Sequence, residues 1–264
     1  MMSTIAGARR DTGLTALGLA AAVAASWMWL ANGAGLGGAG ATPAGAMPGM
    51  AAQDAMAAMA MPMGWSAGHA AAMFGMWTVM MIAMMLPNAA QAVLRVAGAG
   101  GLAPAVEFST GYLAIWIGFG AAATLAQWAL DAGRFLSGGM AVRSTLAAGL
   151  IAAGAGLYQA TPLKRACLDR CHRLRHGVPD SQSLGPWESV HMGLRYGVLC
   201  LGCCAALMAL LFVGGLMNMF WIAAITIWVL AERTLGWGGR LAWLGAAGLV
   251  AAGITVTLMA LGHG

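Results

Sequence analysis

Charge is what this sequence has least of. Lys, Arg, Asp and Glu together make up 8% of its 264 residues, whereas soluble domains carry about 25%. A chain of this length folding in water needs a charged surface, so most of this one must be solvated by lipid. Also missing is any pattern resembling a nucleophile elbow, a phosphate loop or a paired-carboxylate site, so no enzymatic chemistry is expected. Cysteine is confined to two places, Cys167 with Cys171 and Cys200 with Cys203 and Cys204. A secreted disulfide framework spreads its cysteines along the chain, so that class is excluded too.

What the chain does have is apolar and small. Hydrophobic residues make up 61% of it, with 40 glycines and 21 methionines. Small residues let helix backbones approach closely in a bilayer. The expected fold is all-α, a polytopic transmembrane bundle of about seven spans. These are 14–31, 69–90, 105–130, 144–160, 196–213, 216–231 and 241–261. The first has an alternative reading. Arg9-Arg10 before an apolar run is also the plan of a cleaved leader. The run of 18 apolar residues is long for that and ends in Trp27-Met28-Trp29, an aromatic interface anchor, which favours a retained span. The organisation is then a tail and first span (1–31), an outer linker (32–68), and a helix bundle (69–262) with a cytoplasmic basic loop at 161–195.

The distribution of charge orients the bundle. With the N-terminus inside, the cytoplasmic side receives Arg9, Arg10, Arg95, Lys164, Arg165, Arg170, Arg173, Arg175, Arg195, Arg233 and Arg240, and the outer side only Arg134 and Arg143. Cytoplasmic loops are enriched in Lys and Arg, so N-in, C-out is expected. The net charge of +5 is mostly this topology signal, and no nucleic-acid partner is expected.

Soft ligands dominate the rest. The linker carries Met47, Met50, Met56, Met59, Met61 and Met63 with no Lys or Arg. On a helix of about 100° per residue, His69, Met73, Met76, Trp77, Met80, Met84 and Pro87 fall in one stripe about 100° wide. Methionine also serves as an ordinary core filler, so the stripe alone reads equally as packing. Thioethers with one imidazole suit Cu(I) better than Zn(II) or Mg(II). Cys200, Cys203 and Cys204 share one helix face about 100° wide, extended by Tyr196 and Met208. Free cysteine often behaves as a small buried hydrophobe, but three thiols facing one way suit Cu(I), Zn(II) or an iron–sulfur cluster. Cys167 and Cys171 lie one turn apart, as do His172 and His176. The two pairs lie about 100° apart or more, so one site using all four needs a helix break. Glu107, Gln127, Asn218 and Glu232 are polar groups in or beside spans, where polarity is expensive and usually functional. Glu107 and Glu232 sit near the interface, where pairing with Arg95 and Arg233 is the simpler reading.

Several motifs in fixed order carry a resemblance. They are Trp77-x2-Met80-x2-Ala83-Met84-Met85-x-Pro87, Gly111-Tyr112-x3-Trp116, and Gly156-x-Tyr158-Gln159-x2-Pro162-Leu163-Lys164-x2-Cys167-x3-Cys171. Next come Cys200-x-Gly202-Cys203-Cys204-x2-Leu207-Met208, Gly215-x-Met217-Asn218-x2-Trp221, and Glu232. Over residues 70–240 the chain resembles the bacterial family called domain of unknown function 2182, described as metal-binding integral membrane proteins. The resemblance implies a metal-binding membrane bundle. Tyr196 stands where that family often has a histidine, which removes one imidazole ligand.

The expected function is to bind and hand on a soft metal, Cu(I), for uptake or cuproprotein assembly in the bacterial inner membrane. The ligands would be Cys200, Cys203, Cys204, Cys167, Cys171, Met80, Met84, Met76, Met73 and His69. The bilayer and a metallochaperone or cuproprotein would be its partners. Two rivals stand beside this: a metal-free assembly subunit of a membrane complex, and a membrane thiol redox protein.

Overall fold

The structure, a computed structural model, describes residues 2–32, 65–137, 140–176, 185–216, 218–235 and 238–262. The linker methionines Met47, Met50, Met56, Met59, Met61 and Met63 lie outside the described residues. The helices are α1 (Met2–Ala31), α2 (Ala67–Gly100), α3 (Leu102–Ala132), α4 (Thr145–Gln159), α5 (Pro162–His176), α6 (Pro186–Ala209), α7 (Leu211–Gly214), α8 (Met219–Thr234) and α9 (Gly238–Gly262). Among the described residues there is no strand, only an isolated bridge between Leu136 and Val142. The all-α bundle expected from composition is what the chain forms.

The seven expected spans fall largely on helices, but among the described residues five or six, and not seven, are long and apolar enough to cross a membrane. Among the described residues, five helices are long and apolar enough to cross a membrane: Gly7–Ala31, Ala67–Gly100, Leu102–Ala132, Pro186–Gly214 and Gly238–Gly262. A sixth crossing is possible through α4 and the first part of α5, Thr145–Gln159 with Pro162–Leu174, which bend by 57° at their break. With 16 residues, α8 is about 24 Å long at 1.5 Å per residue, short of a hydrocarbon core of about 30 Å. The basic segment 161–195, expected as a loop, is largely helix. It supplies all of α5 and the first ten residues of α6.

The central element is α2. Half of its most apolar stretch is buried inside the bundle, against 17% for α1 and for α9. Its start is fixed by Ser66, whose hydroxyl accepts from the His69 amide at 3.1 Å, a standard N-cap. It stops at Gly101, whose φ of 88° is open to glycine and strained for other residues. Pro87 inside it cannot donate to the carbonyl one turn back. Polar side chains crowd that point: Asn88 donates to the Met84 carbonyl at 2.8 Å and Tyr112 to the Met85 carbonyl at 2.9 Å.

Helix α2 packs chiefly against α1 and α3, α3 against α6, and α4 against α9. The α3–α6 crossing needs glycine. A Cβ on Gly111 would meet the Val190 carbonyl oxygen at 2.1 Å, and one on Gly193 the Phe108 carbonyl oxygen at 2.0 Å. Backbone-to-backbone contact there brings Tyr112 of α3 against the cysteine face of α6. Lipid-facing side chains such as Leu17, Phe220 and Leu258 are exposed around the outside, as expected for a protein solvated by acyl chains.

Candidate metal centre

Cys200, Cys203 and Cys204 lie on the buried face of α6, between Tyr196 and Met208, which are buried as well. All three Sγ atoms lie within 4.8 Å of one another. The Cys203 and Cys204 sulfurs are 3.4 Å apart, and Cys203 donates to the Cys200 carbonyl at 3.1 Å. With metal–thiolate bonds of about 2.3 Å, the value for zinc, three sulfurs around one ion sit about 4 Å apart. The cluster therefore needs only small rotamer changes to close on a single ion. Cys200 is fourteen residues into α6, about 21 Å from its start.

Around the thiols stand groups from four other helices. The Tyr112 hydroxyl lies 3.3 Å from the Cys200 sulfur and also donates to the Met85 carbonyl, so it joins α2 to the cluster. From α8, Arg233 donates to the sulfur of Cys200 and, at 2.7 Å, to that of Cys171 on α5. The guanidinium also lies over the Tyr196 ring at 5.2 Å. Cys167 comes alongside α6 at Gly202, where a Cβ would meet its sulfur at 2.9 Å. The two cysteine groups thus converge on the same region without forming one five-sulfur site. Cys171 is tied to the cluster through Arg233, and Cys167 flanks it. Among the described residues the tight group holds Cys200, Cys203 and Cys204 alone.

Arg233 is positioned by its neighbour in sequence. Glu232 is buried and accepts from Lys164 Nζ at 2.5 Å, from Gln159 Nε2 at 3.0 Å and from Trp228 Nε1 at 2.8 Å. Lys164, at 1% exposure, is as buried as its partner. This corrects the expectation that Glu232 pairs near the interface: its partner is Lys164, and Arg233 turns to the sulfurs. Adjacent helix residues point about 100° apart, so clamping Glu232 to α5 aims Arg233 at the cysteines. Two cations counted as cytoplasmic, Lys164 and Arg233, are inside the bundle.

The methionine stripe is buried along its length. Met73, Met76, Met80, Met81, Met84 and Met85 are each exposed by 2% or less. Met80 and Met84, whose direction decides whether the stripe faces lipid or protein, face protein. His69 is half-buried, edge-on to Trp65 with ring centroids 5.0 Å apart; Trp65 in turn donates to Asp131 at 2.8 Å. His172 is half-buried on α5, which runs unbroken through Cys167 and Cys171. The side chain of His176 lies outside the described residues.

Sequence reasoning missed Arg233 as a sulfur partner, because a lone arginine at a helix end reads as an interface charge. It also missed Lys164. Lys164 was legible only as a motif residue and a counted charge, and Arg233 only as a counted charge beside Glu232. The donor set is soft, buried and balanced by one guanidinium. A metal ion of charge +1 or +2 held by three thiolates would carry net negative charge, and Arg233 stands beside the sulfurs where it would offset it.

No curated protein and no solved structure matches the chain. The family described as PpoB2: Copper chaperone matches residues 74–256, which takes in Met76, Met80 and Met84 of the methionine helix, the cysteine cluster, Lys164, Glu232 and Arg233, and leaves out His69 and Met73. This multi-pass membrane protein belongs to the PpoB2 copper chaperone family.

Proposed function

We propose that the chain carries Cu(I) across or within the bacterial inner membrane and hands it to a metallochaperone or a cuproprotein. Cys200, Cys203 and Cys204 form the tight site, with Cys171 as an auxiliary thiol and Cys167 flanking it. Met73, Met76, Met80 and Met84 line the approach, and His69 stands at its outer end. The linker 32–68 captures the ion and the bundle 69–262 conducts it. The earlier resemblance to the domain of unknown function 2182 covers nearly the same segment, 70–240, as the family match. N-in, C-out places the methionine end outward and Cys171 toward the cytoplasm. A rise in affinity from neutral thioether to thiolate gives direction without a nucleotide.

The single observation that carries this reading is the Tyr112 hydroxyl. It donates to the backbone carbonyl of Met85 on the methionine helix and lies against the Cys200 sulfur, so it holds α2 beside the thiols, one residue past Met84 of the stripe. Thioethers next to thiolates select Cu(I) over Zn(II), which prefers thiolate, imidazole or carboxylate. The test is elemental analysis of the detergent-purified protein, loaded with Cu(I) and washed. Copper retained by the wild type and lost in Cys200→Ser, Cys203→Ser and Cys204→Ser together is the expected result. Equal copper in both proteins sinks the inner site. The 3.4 Å spacing of the Cys203 and Cys204 sulfurs favours the redox reading as the rival. Thiol labelling that shifts with redox poise in a protein that holds no copper would select it.

A further inference from the structure

Gln127 marks a second meeting of sulfur atoms, at the far end of α2 from the cysteines. Its side chain is 3% exposed. The Trp77 indole N–H donates to Gln127 Oε1 at 2.8 Å. Because an indole nitrogen is a donor only, this contact fixes which way the carboxamide points. Both Nε2 hydrogens then face sulfur: Met73 Sδ at 3.3 Å and Met140 Sδ at 3.2 Å. A thioether is a weak acceptor, so a buried amide with both donors on sulfur is poorly satisfied.

Met140 is held there at a conformational cost. Its φ is 55°, a left-handed value that is strained for a non-glycine residue. The turn carrying it is strapped down on two sides. Val142 N donates to the Phe212 carbonyl at 2.8 Å, and Ser137 N to the Ala141 carbonyl at 2.8 Å. Phe212 itself packs on Trp77, with ring centroids 5.5 Å apart. A strained, braced backbone thus aims a second thioether at the one on α2.

We propose that Met73 and Met140 form a second soft-metal site, a two-thioether outer site for Cu(I) with Gln127 as its brace. This rests on the reading that the protein carries Cu(I). Neutral thioethers leave the full charge on the ion, so the site holds copper weakly and releases it. Met73 lies twelve residues before Met85, about 18 Å along the helix. The two sites therefore sit at opposite ends of the sulfur-lined face. The stripe on α2 does not itself predict Met140, which comes from the turn between α3 and α4.

The test uses the full chain in detergent with [13C]methyl-methionine, titrated with Ag(I) as a redox-stable probe for Cu(I). The background is Cys200→Ser, Cys203→Ser and Cys204→Ser, which removes the tight site. The Met73 and Met140 methyl resonances are identified by Met73→Leu and Met140→Leu, volume-conserving changes that cores tolerate. The expected result is that both resonances move together at one Ag(I) ratio, and that Met140→Leu abolishes the Met73 response while the Ag(I) responses of the other methionines are the same as without that substitution. A silent pair, or a Met73 response unchanged by Met140→Leu, overturns the proposal. Wild-type protein loaded with Cu(I) reads the other claim separately. If the thiols take no copper while the Met73–Met140 pair responds, the functional reading falls and the outer site stands.

Discussion

The two ends of the methionine-bearing stretch of α2 meet sulfur in different company. At the Met85 end the sulfurs are thiols, and a guanidinium and a buried ion pair stand around them. At the Met73 end they are thioethers, and the polar group between them is a neutral amide. A thiol gains charge when it binds a metal and needs a cation to offset it in a low-dielectric interior. A thioether gains none, so a basic side chain there would have no negative ligand to offset and would repel the bound ion. The company each end keeps matches the ligand it carries.

The widest break in this contrast is at the thiols. Cys203→Ser with Cys204→Ser should remove copper from the inner site altogether, measured as metal per protein, while thermal stability changes little. Retained copper would make the two ends equivalent. Next in size is the buried ion pair at the thiol end. Breaking a buried pair from one side costs about 3–5 kcal/mol, whereas replacing both partners with apolar residues is often neutral. Glu232→Gln should therefore lower the melting temperature sharply, and Lys164→Met with Glu232→Met should restore most of it. Equal melting of the single and the double variant would remove the ion pair from the account.

Arg233 sharpens the comparison further. Partners just outside a metal's ligands typically tune affinity by about 10–100-fold. Arg233→Gln should weaken Cu(I) at the thiols by about that factor, in competition with a Cu(I) chelator. Arg233→Lys keeps the charge but loses the two-pronged contact with Cys171 and Cys200, so its affinity should fall between the two. If Arg233→Gln binds as well as wild type, charge balance is not the reason for the arginine. The smallest effect is expected midway. Met80→Leu with Met84→Leu should alter stability by less than about 1.5 kcal/mol and leave copper capacity unchanged, but slow the filling of the thiol site in stopped-flow loading. Unchanged kinetics would reduce the stripe to packing.

Much of this was legible in the sequence because it depended on local period and composition. The scarcity of charge required lipid. The spacing of Met73, Met76, Met80 and Met84 required a common helix face, and that face proved buried. The spacing of Cys200, Cys203 and Cys204 required shared orientation, and the sulfurs do cluster. Other features stayed illegible for a physical reason. Arg233 and Lys164 look like interface charges to any rule that counts residues near helix ends. Their inward turn depends on Glu232 finding Lys164 on another helix. Met140 sits in a short turn of no period, and only the strap to Phe212 points it at Met73.

Sequence alone determined that this is a helical membrane protein with one sulfur-rich face on α2 and one on α6. Both follow from angles along a single helix, which need no partner. Tertiary structure decided that these faces meet through Tyr112, that the cation beside the thiols is Arg233, and that a thioether from a distant turn joins Met73. Those are contacts between residues 13 to 88 positions apart, and no pattern within one helix encodes them. They arise because glycines at 111 and 193 let α3 and α6 touch backbone to backbone, and because a buried charge at Glu232 is stable only beside its counter-ion.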